Sequence, residues 1–256
     1  MARTLKITLA YDGTAFAGWQ RQASERTVQA VLEDTLAPIE KSPVTVIGAG
    51  RTDAGVHAAA QVASVSLGSA IGCDELRRAL NATLPSDVRV LAIEEAAESF
   101  GARHDARRKT YHYAIWNGVA VPPFLRFYAW HVPQPLDIVA MNDAAAVLLG
   151  SHDFAAFQAT GSDVKTTVRH ISVSAVEPVD VSALVFGASG DRLLRYQVTG
   201  SGFLRHMVRN IVGTLADVGR GRTSVAGVNA ILASRDRGAA GATAPPHGLV
   251  LWQVEY

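Results

Sequence analysis

The chain has 256 residues, 48% of them apolar and 18% charged, with a formal net charge of +1; this balance excludes a disordered chain and permits a sizeable buried core. A single cysteine, Cys73, excludes an internal disulfide and a cysteine-rich zinc site. The apolar stretch within Met1–Ala10 is too short for a signal peptide, and nothing later reaches the roughly 18 apolar residues of a membrane span, so a cytoplasmic protein is expected.

Leu5, Ile7, Leu9 and Tyr11 alternate with Lys6, Thr8 and Ala10, the period of a half-buried strand. A loop rich in Gly, Gln and Arg follows to about Glu25. Val28, Val31, Leu32 and Leu36 then recur at helical spacing, and Pro38 is expected to stop that helix. Short strands are expected over Val44–Ile47 and Gln61–Leu67, a helix over Asp74–Asn81 and a strand over Val88–Ile93. The first half thus has the order strand–helix–strand–strand–helix–strand. Further on, the pattern predicts strands over Tyr111–Trp116, Val168–Val176, Leu184–Phe186, Leu193–Val198 and Leu249–Val254. Helices are expected over Asp137–Leu149, Phe203–Val218 and Val225–Ala233, with Gly150 ending the first of these. The expected fold class is α+β, with two similar-sized halves, 1–104 and 105–256. Each half is expected to be a mainly antiparallel sheet with helices on one face, the two forming a central cleft.

Charge is clustered. Arg103, Arg107, Arg108 and Lys109 stand against Asp105, and Arg192, Arg195, Arg205, Arg209, Arg220 and Arg222 against Asp217. Such clusters on a near-neutral chain point to a local anionic partner, or else to solvated charge on unrelated faces. On the helix predicted over Phe203–Val218, Leu204, Val208, Ile211 and Leu215 form an apolar stripe, with Arg205 and Arg209 sharing a neighbouring face.

The densest chemical signal is Gly48-Ala49-Gly50-Arg51-Thr52-Asp53-Ala54-Gly55-Val56-His57, between two predicted strands. Arg51 and His57 bracket a lone carboxylate. In a glycine-rich turn, Asp53 is either a turn-forming residue or an ionised nucleophile or base kept charged by the arginine. A dinucleotide fingerprint fails because Asp53 occupies its last glycine position, and no Gly-Lys-Ser or Gly-Lys-Thr of a P-loop is present. Tyr11-Asp12-Gly13-Thr14 lacks the first aspartate of an aspartyl-phosphatase loop. The histidines show no metal-ligand spacing, so no metal is expected.

Residues 50 to 57 resemble the motif of the bacterial tRNA pseudouridine synthase A family. Tyr11-Asp12-Gly13 with Phe16, Gly18, Trp19 and Gln20 resembles that family's first segment. Asn81–Pro85 with Asp87, Phe100–Arg103, Lys109–Tyr113, His152-Asp153-Phe154, Phe203 and His206–Gly213 resemble later blocks, in order along nearly the whole chain. The pair Leu204-Arg205 and the alanine-rich Ala58–Ala60 depart from the family pattern, and Arg205 is given no catalytic role. The resemblance implies isomerisation of uridine to pseudouridine in the anticodon arm of tRNA, at its positions 38 to 40, by a homodimer without metal or organic cofactor. It further implies Asp53 as the catalytic carboxylate, Tyr111 as the ring packing against the target base and Arg209 as the partner of the aspartate. Arg51 joins these as a substrate-binding residue, able to hold a phosphate. Without the resemblance, Tyr111 and Tyr113 read as core residues packed on one strand face, and Arg209 as a snorkelling surface arginine. Arg21, Arg26, Arg107, Arg108, Lys109 and Arg205 are expected to meet backbone phosphates. The competing readings are a non-catalytic RNA-binding or RNA-remodelling protein on the same scaffold, which needs no carboxylate in the loop, and a metal-dependent phosphohydrolase using Asp12 or Asp53.

Overall fold

A computed structural model describes residues 2–161, 164–180 and 192–256; the strand expected at Leu184–Phe186 lies outside them. The fold is α+β, as the periodicities indicate, and divides into two compact units, Met1–Arg107 with Val250–Tyr256 and Arg108–Leu249. No helix among the described residues is long and apolar enough to cross a membrane.

The first unit opens with β1 (Arg3–Tyr11), α1 (Val28–Glu40), β2 (Ile47–Gly48), β3 (His57–Leu67), α2 (Cys73–Thr83) and β4 (Val88–Glu95). This is the expected order of elements. β1 lies between β4 and β3, antiparallel to both. Leu5, Ile7 and Leu9 are fully buried, each worth about 1.5–3 kcal/mol on burial. The other edge of β3 is shared. β2 pairs with Ser64 and Ala63, and β10 (Leu249–Glu255) runs parallel to it at His57 and Ala58. The last strand therefore groups with the first unit. Two expectations need correction here. The strand predicted over Val44–Ile47 shrinks to two residues displaced toward Gly48. The α1 helix passes Pro38 and ends at Glu40, with Lys41 left-handed at φ 60°; a proline this near the C-terminus breaks one helical hydrogen bond and leaves only a short turn to follow.

The second unit contains β5 (Arg108–Asn117), β6 (Trp130–His131), α3 (Ile138–Ala146), β7 (Gly150–Asp153), β8 (Val168–Val179), β9 (Arg192–Gly200), α4 (Met207–Gly219) and α5 (Val225–Ser234). Its strands run in the order β6-β5-β9-β8-β7, antiparallel except for the parallel β5–β6 pair. The helix expected from Phe203 begins at Met207, because His206 adopts φ 60° and cannot continue it backwards. Arg205 consequently lies ahead of the helix and does not share a helical face with Arg209.

Both units close a sheet edge with an asparagine from a helix. Asn81 of α2 accepts from the Val90 N–H and donates to the Val90 carbonyl, each at 2.8 Å, on the outer strand β4. Asn142 of α3 makes the same pair with Val176, at 2.8 and 2.6 Å, on the part of β8 beyond the reach of β7.

Candidate active site

Asp53 is half-buried in the loop before β3, and backbone contacts hold the chain on both sides of it. The Trp19 N–H donates to the Thr52 carbonyl at 3.0 Å, the Gly55 N–H to the Phe16 carbonyl at 3.2 Å, and the Val56 N–H closes a turn on the Asp53 carbonyl at 3.1 Å. The segment supplying those contacts is anchored in turn. The Gly18 and Trp19 carbonyls accept from Val28 and Gln29, satisfying the first orphan N–H groups of α1. Arg26 forms a bidentate pair with Asp87 at 2.8 and 2.9 Å and stacks 4.0 Å over the Phe16 ring. Gly13 is needed for the approach: a Cβ there would lie 2.0 Å from the Val56 carbonyl oxygen.

Side chains complete the clamp from beneath. Gln61, fully buried on β3, donates to the Gly50 carbonyl at 2.8 Å and to the Tyr11 hydroxyl at 3.4 Å. The Tyr11 hydroxyl and the Thr52 Oγ1 share a hydrogen bond of 2.8 Å. Burial pushes the Tyr11 pKa up to about 12, so the hydroxyl stays protonated. The Gly13 N–H donates to His57 Nδ1 at 3.0 Å, and an Asp12 carboxylate oxygen lies 3.1 Å from the same nitrogen while accepting from the Thr14 N–H and hydroxyl. Asp12 and His57 thus serve the loop's architecture. Arg51 is exposed beside Asp53. The structural duties of Tyr11, Trp19 and Gln61 were not readable from the sequence; the one available signal was Gln61, a polar residue at a buried strand position.

Tyr111 and Arg209 belong to the second unit. Tyr111 and Tyr113 share one face of β5, opposite Val198 and Tyr196 of β9. Tyr113 is fully buried and donates its hydroxyl proton to the Pro245 carbonyl at 2.7 Å. Burial pushes its pKa up, and the nearby charge of Arg209 draws it partly back. Tyr111 is 8% exposed and meets Phe203 edge-on at 5.1 Å between ring centroids. Arg209 sits in the first turn of α4. Its Nε donates to the Ala244 carbonyl at 2.7 Å, and its own carbonyl accepts from the Ala244 N–H at 3.1 Å. Arg209 is half-buried and tethered at its Nε.

Asn210, for which no role was expected, explains why the 242–244 strap stays there. It is fully buried, donates to the Phe157 carbonyl, and accepts from Thr243 at 2.7 Å and Arg237 at 3.0 Å. Gly213 lets the strap pass: a Cβ on it would stand 1.7 Å from the Ala242 carbonyl oxygen. Asp153 is likewise structural, held by Thr167 at 2.5 Å and Arg235 at 3.0 Å.

Two of the expected phosphate ligands are already committed. Arg26 is bound to Asp87, and Arg21 pairs with Glu33 at 3.1 Å and Asp34 at 2.9 Å. Among the described residues, no three His, Cys, Asp or Glu side chains gather as metal ligands.

A family model described as tRNA pseudouridine synthase matches residues 7–105 and 144–256. The chain is 40% identical over 260 residues to the tRNA pseudouridine synthase A 1 of Desulfotalea psychrophila, covering 99% of this chain and 100% of that one. It is 44% identical to the tRNA pseudouridine synthase A of Moorella thermoacetica, over 98% and 99% of the two chains, and 45% identical to that of Myxococcus xanthus, over 98% and 91%. The family match takes in the clamped Asp53 loop and the Arg209 helix, and the relatives extend it across the stretch that carries Tyr111. On that extent and those positions, the chain belongs to the tRNA pseudouridine synthase family.

Proposed function

We propose that this enzyme, an isomerase of tRNA uridine, acts in the anticodon arm at tRNA positions 38 to 40, with Asp53 as its catalytic carboxylate. The observation that carries the reading is the Asp53 loop, where a half-buried carboxylate is presented on backbone immobilised from both sides. Rigid presentation of one reactive group is what positioning catalysis requires. The reaction breaks the bond from the ribose C1′ to N1 of uracil and forms one from C1′ to C5. The proton on C5 leaves and N1 gains one, so the exchange is redox-neutral. The carboxylate acts by adding to C6, by attacking C1′ or by removing a ribose proton, and each route requires it ionised.

A base in a helical arm must leave its stack, at a cost of a few kcal/mol. In this proposal Tyr111 receives it, since ring stacking is worth about 1–3 kcal/mol per base. Arg209 is a substrate-binding residue, and Arg51 meets a phosphate. The buried edge-on packing against Phe203 supports a fixed ring for Tyr111, and the backbone tether to Ala244 supports a fixed guanidinium for Arg209. The same reading carries a homodimer and a cytoplasmic location, the former checked by sedimentation.

The test is pseudouridine mapping in an anticodon-arm transcript treated with purified protein. Asp53→Asn is expected to abolish product while tRNA affinity stays within a few-fold. Undiminished product from that variant would remove Asp53 from the chemistry.

A further inference from the structure

The second arginine cluster of the sequence is only partly used by the site above. Arg220 and Arg222 belong to neither the Asp53 loop nor the surroundings of Tyr111. They line a recess of about 610 Å³ in the second unit, with Asp137 and Ala140 at the start of α3, Val218 to Gly221 at the end of α4, and Thr223 to Val225 at the start of α5. We propose that this recess binds a phosphate group, supplied by the tRNA backbone; the inference rests on tRNA being the substrate.

Charge is the first argument. The two guanidiniums share a single oxygen of Asp217, at 3.3 Å from Arg220 and 3.4 Å from Arg222. That carboxylate is shared, so neither guanidinium has an ion pair of its own. Asp137, the carboxylate of the lining, caps α3, where it accepts from the Ala140 N–H at 3.0 Å. The second argument is an unmet donor. Arg220 Nε is buried and has no hydrogen-bond partner, although its guanidinium is fixed 5.4 Å over the Trp130 ring. A buried donor left unmatched costs about 1–3 kcal/mol, which an arriving acceptor recovers.

Local backbone adds a third contribution. Ser224 caps α5 by accepting from the Gly227 N–H at 3.1 Å, and the N–H groups of Val225 and Ala226 have no intrahelical acceptor. The cap is neutral, so the end of α5 keeps its partial positive charge. Arg222, with 67% of its side chain exposed, is free to swing toward an oxygen at the mouth. Two arginines, a neutral-capped helix start and two hydroxyl side chains suit the several oxygens of one phosphate, and nothing in the set reads a base.

The experiment measures equilibrium binding of an unmodified tRNA transcript over a range of salt concentrations for the wild type, Arg222→Ala and Arg222→Lys, with inorganic phosphate titrated separately by calorimetry. Arg222→Ala should weaken binding about three- to tenfold at low salt and reduce the log–log salt slope by about 0.7 to 0.9, the share of one phosphate. Arg222→Lys should recover most of the slope. Turnover at saturating tRNA should be unchanged, so pseudouridine formation reports separately on the reading of Asp53. An unaltered slope with phosphate heat that vanishes in Arg222→Ala would keep the site and assign it to free phosphate instead of RNA. An unaltered slope without any phosphate binding overturns the proposal.

Discussion

The Asp53 loop and the strand–helix pair carrying Tyr111 and Arg209 hold their side chains by different means. Around Asp53 there is no regular element, so position comes from carbonyls and amides of a second segment, residues 13 to 19, and from buried polar groups beneath. Around Tyr111 and Arg209 position comes from a sheet register and a helix, with one strap tying the helix down. Each region nonetheless depends on a glycine pressed against a carbonyl, Gly13 in one and Gly213 in the other. The difference is in what failure would do. A loop held by its neighbours moves when one neighbour moves, whereas a residue on a strand or helix moves only when the element does.

The sharpest way to break that contrast is Gly13→Ala. Its Cβ meets backbone, so the loop must shift, at about 1–3 kcal/mol of stability. A displacement near 1 Å is expected to reduce turnover about a hundredfold, read by single-turnover kinetics beside a thermal melt. If activity tracked the melt and fell only in proportion to unfolded protein, the loop would not be the sensitive element. Substitutions at Tyr111 come next. Tyr111→Ala should cost about 1–3 kcal/mol of substrate stabilisation, or roughly five- to 150-fold. Tyr111→Phe should keep that share and lose only hydroxyl-dependent chemistry. Equal damage from both would separate Tyr111 from stacking.

The smallest effect concerns the opposite face of β5. There His112 has its pKa pushed down to about 4, by burial first and by the charge of Arg195 second, against opposing contributions from Gln197 and Glu177. The unfolded chain binds that proton near pH 6.5 and the folded one does not, so the stability is full above about 6.5 and is lost as pH falls toward 4. His112→Gln should flatten this part of the pH–stability curve, and an imidazole titration midpoint near 6.5 by NMR would contradict the burial argument.

What the sequence disclosed follows the same division. Strands with period-two alternation, such as Leu5 to Tyr11, and helices with clean apolar spacing were legible because local pattern and burial coincide. The helix start was not. Leu204 continues the apolar spacing of α4, but His206 takes a left-handed turn that no periodicity records. Chain order also concealed that Val250–Tyr256 groups with the first unit, because pairing with His57 and Ala58 is a long-range event. Asp53, Tyr111 and Arg209 were named through family resemblance. Their supports, Gln61, Asn210 and the Ala244 strap, were not, since a buried amide looks the same in sequence whether or not a carbonyl awaits it. Arg21 and Arg26 show a related limit: their carboxylate partners, Asp34 and Asp87, lie 13 and 61 residues away along the chain and are not marked in the sequence.

Asn81 and Asn142 carry a consequence for how this protein behaves in concentrated solution. By occupying the outward N–H and carbonyl of Val90 and Val176, each amide removes a rung onto which a foreign strand would add. Replacing either with leucine would leave the helix intact and expose a ready template for intermolecular pairing. The two amides thus cover two strand rungs, and loss of either would be read by light scattering of concentrated protein.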